Sequence, residues 1–150
     1  MHIAEINIAR MMGPLESDTM KEFRDFIAPM NDLAESSPGF VWRYTDGADV
    51  QEVQTEPPFG DNRIIVNLSV WETAEHLKAF TYHTVHSYFV KKRHRWFEGL
   101  GHPAVACWWV APGTKPTVAE AKKRLELLEL NGPTVDAFTL GRIILPEGGL

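Results

Sequence analysis

The stretch RIIVNLSVWETAEHLKAFTYHTVHSYFVKKRHRWF, residues 63–97, decides how this chain folds. Its first nine residues alternate, with Ile64, Val66, Leu68 and Val70 on one side and Ile65, Asn67, Ser69 and Trp71 on the other, the two-residue period of a strand. The period then changes. Glu72-Thr73 opens a helical segment carrying four of the six histidines, His76, His83, His86 and His94, among aromatic residues.

Upstream, His2 to Ala9 repeats the strand pattern, with Ala4, Ile6 and Ile8 against Ile3, Glu5, Asn7 and Ala9. Gly13-Pro14 breaks it, and Ser17 is the expected cap of a first helix whose apolar stripe is Met20, Phe23, Ile27, Met30 and Leu33. Pro29 lies inside that stripe and predicts a kink or an early stop. Phe40 to Tyr44 is aromatic-rich and suits a second strand. Thr45 to Asn62, with Asp46-Gly47, Pro57-Pro58 and Gly60-Asp61, is a long connection and the candidate lid.

Downstream, Gly99 to Pro103 ends the central helix, and Ala104 to Ala111 is a strand with apolar residues on both faces. Thr117 with Glu120 forms a capping box for a third helix through Leu130, stopped by Asn131-Gly132-Pro133. A short Ala137 to Leu140 segment and a tail complete the chain. The order strand, helix, strand, strand, helix, strand predicts an α+β fold: a ferredoxin-like antiparallel sheet with both main helices on one face, plus an extra C-terminal helix and tail. One domain over residues 1–150 suits the length. Because Ala106, Trp108 and Val110 oppose Val105, Cys107 and Trp109, both faces of the last strand need cover. The expected cover of the second face is the same sheet of another copy, an isologous homodimer.

Composition narrows the function. Hydrophobic residues at 44% and charged residues at 23% describe ordinary globular material, and no apolar run reaches the ~20 residues of a spanning helix, so no membrane partner is expected. A net charge of −5 argues against nucleic acid. The basic run Lys91 to Arg95 points in all directions around a helix and reads as a solvated surface. Cys107 is the single cysteine, inside an apolar run, which predicts an inert thiol. With no basic stretch and apolar core near Met1, a cytoplasmic location is expected. Nucleophile elbows, phosphate loops, dinucleotide fingerprints and cysteine-pair metal motifs are all missing from the sequence.

A series of short motifs carries a resemblance. Asn67-Leu68-Ser69-Val70-Trp71-Glu72, His86 followed by Arg93, Trp96 and Phe97, Trp108-Trp109-Val110, Pro116-Thr117 with Glu120-Ala121 and Arg124-Leu125, Gly132-Pro133-Thr134 and Ala137-Phe138-Thr139 resemble bacterial domain-of-unknown-function family 3291 over nearly the whole chain. That family is grouped with the dimeric α/β-barrel proteins, whose relatives include antibiotic-biosynthesis monooxygenases, haem-degrading enzymes and stress-responsive proteins. The resemblance implies a dimeric α/β barrel, with any ligand pocket between the sheet and the two main helices. Fold analogy of this kind supplies no reaction.

Glu5, Asn7, Arg43, Asn67 and Ser69 are polar residues inside apolar strands, either satisfied internally or aimed at a ligand. In an unbroken helix His76, His83 and His94 would lie within about 20° of one another, with His86 about 60° from His83. Three uses of the histidines compete. A metal site would take His83 and His86 with Glu5 or His94, but that pair alone is a weak motif. A haem site would take His86 or His83 as axial ligand. A metal-free, cofactor-free pocket would use His86, with His83 beside it, as general base or donor toward a small apolar or aromatic molecule. The walls of that pocket would be Trp42, Trp71, Phe80 and Tyr82, with Arg43, Asn67 and Ser69 as polar contacts. The expectation is this last reading, a monooxygenase- or isomerase-like homodimer. Haem binding and a non-catalytic, stress-related ligand-binding dimer are the alternatives. Arg93 is expected to pair with Glu72 or Glu98, and Trp96 to anchor the helix end.

Overall fold

The structure, a computed structural model, describes residues 1–45, 59–83 and 91–149. The sheet is built around its first strand, β1 (His2–Met11). With β2 (Phe40–Arg43), β3 (Ile64–Trp71), β4 (Phe97–Glu98) and β5 (Val105–Val110) it makes an open, five-stranded antiparallel sheet. β1 pairs with β3 from Ile3 opposite Trp71 to Arg10 opposite Ile64. β5 takes its other edge from His2 to Asn7, and β4 continues that edge opposite Arg10 and Met11. β2 lies outside β3 with an irregularity between Phe40 and Trp42: Phe40 faces Trp71, Trp42 faces Val70 and Arg43 faces Ser69. The extra residue swaps the parity of the strand, because side chains alternate with a period of two.

The helices divide between the two faces. α1 (Lys21–Ser36) and α2 (Ala74–His83) lie over the face of Ile3, Trp71 and Cys107, where Ala34, Ala74, Leu77 and Phe80 join them. α3 (Val118–Asn131) lies over the other face, its Val118, Ala121, Leu125 and Leu128 packed with Ala4, Ile6, Ile8, Ala106 and Trp108. This corrects one expectation. The apolar surface assigned to a second copy is covered along β1 and β5 by the chain's own third helix, and Trp108 is fully buried there. Each buried Val or Leu of α3 contributes roughly 1.5–3 kcal/mol relative to exposure, so this cover is a substantial part of the core.

Local chemistry explains the helix ends. Thr117 caps α3 by accepting a hydrogen bond from the Glu120 amide at 3.1 Å, and Gly132 ends it at φ 69°. Thr73 accepts from the His76 amide at 3.1 Å and so starts α2. Ser17 does not cap α1: its hydroxyl donates to Pro14 O at 2.6 Å, a 3-10 turn forms over Asp18–Met20, and the α-helix starts at Lys21. The early stop at Pro29 does not occur, for the helix continues to Ser36. Pro29 is on the exposed side, where the carbonyl it leaves unpaired can bond water.

The helical segment does not reach Phe97. Arg93–Arg95 form a 3-10 turn and Phe97–Glu98 are strand, because Met12 N bonds Trp96 O at 2.7 Å and Trp96 is buried with Met11 and Met20. Trp96 is thus the expected anchor. Arg93 is not paired with Glu98, whose carboxylate is taken by Arg10 at 2.7 Å and Arg63 at 2.9 Å. Arg10 also bonds Asp61 at 2.7 Å, and the network ties β4 to β1 and β3. The Arg63 amide and then Arg10 hold the Asp61 carboxyl below its usual range.

The chain ends as a strap. Arg124 donates to Asp136 O at 2.8 Å and to Glu120 at 3.0 Å, fixing the turn after α3. Phe138 then exchanges two backbone hydrogen bonds with Cys107, at 2.7 and 2.9 Å, on the outer edge of β5. Trp109 Nε1 donates to Ile144 O at 2.8 Å and pins the tail beyond Phe138 to the same strand.

Candidate functional site

The pairing registers line up side chains across the α1–α2 face. One row is apolar: Phe40, Trp71, Ile3 and Trp109. The next runs Arg43, Ser69, Glu5 and Cys107, and the one after that Asn67, Asn7 and Val105. Beyond them lie Met11 and Ile65, in a cluster with Met20, Phe23 and Trp96. A polar band therefore divides the apolar packing of this face into two separate clusters. Five residues singled out in the sequence, Glu5, Asn7, Arg43, Asn67 and Ser69, make that band.

α1 spans both clusters. Ala34 packs at the Trp71 end and Phe23 at the Trp96 end, so Ile27 and Met30 fall between them along the helix. Both are partly buried, belong to neither cluster, and lie at the level of the polar band. The band thus combines a polar floor, an aliphatic helix stripe and an aromatic wall. That wall is Trp71, stacked on Phe80 at 5.0 Å between ring centroids and met edge-on by Phe40 at 5.6 Å.

Glu5 is the electrostatic centre. Burial raises its carboxyl from 4.5 to about 7, and among the described residues it has no hydrogen-bond or ion-pair partner. Glu5 is partly buried by surface area, and withdrawing an unpaired carboxylate from water even in part costs free energy, which lifts its proton affinity toward neutrality. Ser69 accepts from Trp71 Nε1 at 3.0 Å, which fixes the oxygen and leaves its O–H to donate. Arg43 Nε is buried without a hydrogen bond, 3.6 Å from Glu35 of α1. Cys107 completes the row as a fully buried thiol, pushed well above its ordinary value by burial and then by the Glu5 charge, so it is inert as expected.

The structure places the other expected site residues apart. Trp42 is on the opposite face, packed against the α3-side cluster, because the irregularity in β2 gives its place to Arg43. Tyr82 and His83 are exposed at the end of α2. His86 and most of the candidate lid lie outside the described residues. His76 is structural: its ring bonds Thr73 at 2.8 Å and fills the space beside Gly39, where an added Cβ would come within 2.2 Å of His76 Cγ. His94 is exposed in the 3-10 turn. Among the described residues no three His, Cys, Asp or Glu side chains stand together to hold a metal, and no helix is long and apolar enough to cross a membrane.

Sequence reasoning noticed Glu5 as one of five strand polar residues, satisfied internally or aimed at a ligand, and as a possible metal ligand, but gave it no proton-transfer role. Its signal was a lone carboxylate on a strand, and its meaning depended on the register that sets it opposite Ser69 and Cys107. No curated protein and no solved structure matches the chain. One family does, over residues 2–149, and the chain belongs to it: Domain of unknown function (DUF3291).

Proposed function

We propose that this protein is an acid–base enzyme of small organic molecules, with Glu5 as the proton-transfer group and no dedicated cofactor. One observation carries the reading: in the polar band between two apolar clusters stands a partly buried carboxyl with no hydrogen-bond or ion-pair partner among the described residues, and burial raises it to about 7. A general base works best with a proton affinity near the working pH, and perturbed carboxyls of this kind concentrate at functional sites. The Trp71–Phe80 pair suits an aromatic or apolar substrate body, and Ser69 offers a donor to an oxygen that gains charge. Deprotonation is the step an isomerase and a cofactor-independent oxygenase share; the isomerase needs nothing further. The haem alternative draws little support from His83, which is exposed where an axial ligand would sit in an apolar pocket.

The test is hydrogen–deuterium exchange at the acidic C–H of a panel of aryl ketones, followed by NMR in D2O. Exchange should exceed the buffer rate, rise with pH through about 7 as Glu5 ionises, and fall roughly 100-fold or more in Glu5→Gln while His83→Ala retains it. Exchange indifferent to Glu5→Gln would remove the proposal.

The strand order β2-β3-β1-β5, with α1 and α2 on one face, supports a ferredoxin-like domain of the dimeric α/β-barrel kind. The homodimer takes a narrower form than the sequence suggested. α3 packs on β5 and β1, whereas Trp42, Tyr44, Ile64 and Val66 on the β2–β3 half of the same face are only partly buried, and a second copy would rest there. Light scattering at micromolar concentration should return twice the chain mass; a monomer mass excludes the dimer.

A further inference from the structure

We propose that the site takes a small organic anion, whose carboxylate is read by the Arg43 guanidinium while an acidic C–H beside it faces Glu5. This rests on the proton-transfer reading and names its substrate class. Arg43 and Glu5 belong to one cross-strand row with only Ser69 between them. Their Cα atoms are therefore two strand spacings, roughly 10 Å, apart, and both side chains lie on the same face. The space between two such side chains suits a group of a few atoms, such as a carboxylate joined through a carbonyl to an acidic carbon.

Arg43 is available for the role. Its Nε–H is buried and, among the described residues, has no hydrogen bond. Glu35, its ion-pair partner, stands at 3.6 Å on α1 with its side chain 47% exposed, close enough to hold the guanidinium in the row and too far to satisfy it. A planar carboxylate matches the guanidinium fork in two parallel hydrogen bonds, which a loosely held Glu35 does not.

The chemistry balances without a co-reactant. The Glu5 carboxylate takes the proton from the carbon next to the carbonyl. The C–H electron pair becomes the C=C bond, and the carbonyl π pair moves to oxygen, where the Ser69 hydroxyl donates to it. Protonated Glu5 then returns its proton to that oxygen, giving the enol, or, after exchanging it with solvent, delivers a solvent hydrogen to the carbon, giving the ketone back labelled.

Two probes separate the parts: phenylpyruvate, with aromatic ring, acidic CH2 and carboxylate, and its methyl ester, which keeps all but the charge. Calorimetry should show saturable phenylpyruvate binding, weakened about 10-fold or more in Arg43→Met and partly restored in Arg43→Lys, with the ester unaffected by either. Glu35→Gln should tighten phenylpyruvate binding, since it removes the competing carboxylate; a merely structural Arg43–Glu35 pair would not produce that gain. Equal binding of both probes, binding of neither, or an Arg43→Met variant that binds like the parent overturns the inference. Exchange of the benzylic protons is read separately. Glu5-dependent exchange of the ester with no Arg43 effect leaves proton transfer standing and removes the anion. Arg43-dependent binding with no exchange of either probe keeps the anion site but overturns the step assigned to Glu5.

Discussion

Glu5→Gln is expected to be more stable than the parent at about pH 8, and the gain should approach roughly 3 kcal/mol as an upper value, the equivalent of raising a carboxyl from 4.5 to about 7. The sign comes from proton binding. A carboxyl whose affinity is raised on folding keeps its proton in the native state across the window from 4.5 to about 7, while the unfolded chain has already released it. The native state then binds more protons, so the parent loses stability as pH rises through that window and levels off above it. Glutamine is neutral throughout and escapes this loss. Urea unfolding of parent and variant across the window should give a difference near zero at its acid end and growing toward neutrality. Taking the difference cancels the titration of the histidines, which both proteins share. A variant equal to or weaker than the parent at both ends would mean that Glu5 is solvated or paired, and would remove the basis of its catalytic assignment. A side chain that lowers stability at working pH while sitting among possible ligand contacts is the trade expected of a functional group.

Phe138→Ala is expected to cost about 3–5 kcal/mol, the range for emptying a fully buried aromatic position. Phe138 is wholly buried, packs against Trp109 at 5.3 Å between centroids, and its backbone closes the outer edge of β5 at Cys107. The protein carries its own reporter of this strap, since Cys107 is the single cysteine and has no exposed surface. In the parent a thiol reagent should react at a rate set by rare opening. In Phe138→Ala labelling should accelerate by a factor of 10 or more, at concentrations of urea where far-ultraviolet circular dichroism still reports a folded chain. Unchanged labelling in a destabilised variant would show that the strap opens only with global unfolding.

Much of the fold was legible because two periods do most of the specifying. The alternation of β1 and β3 located both strands within two residues, and Thr117 with Glu120 located the start of α3. What could not be read was which surface an element would cover. α3 has an apolar stripe that would satisfy any apolar sheet face, and only the structure shows that it folds back over Ile6 and Trp108 rather than away from the domain. The site was legible as a set of five polar positions and illegible as a geometry. A single extra residue in β2 turned Trp42 away and Arg43 inward, and no local composition signals such an irregularity. The histidines drew attention because residue type is visible in a sequence and solvation is not. Glu5 owes its altered proton affinity to neighbours more than sixty residues away on β3 and about a hundred away on β5.

β1 is the strand with the most neighbours, and that has a bearing on when the molecule can fold as well as how. Its partners are β3 on one edge and β4 and β5 on the other, and its apolar face is closed by α3, residues 118–131. β1 precedes all of these partners in the sequence: β3 follows at residues 64–71, whereas β4, β5 and α3 come only from Phe97 onward, so one edge of β1 and the cover of its face are completed well after the β1–β3 ladder. Long-range pairing of this kind folds slowly. Through that interval Ile6 and Ile8 lack the cover of α3, and α3 and the Phe138 strap, which follow every strand in the sequence, close the sheet.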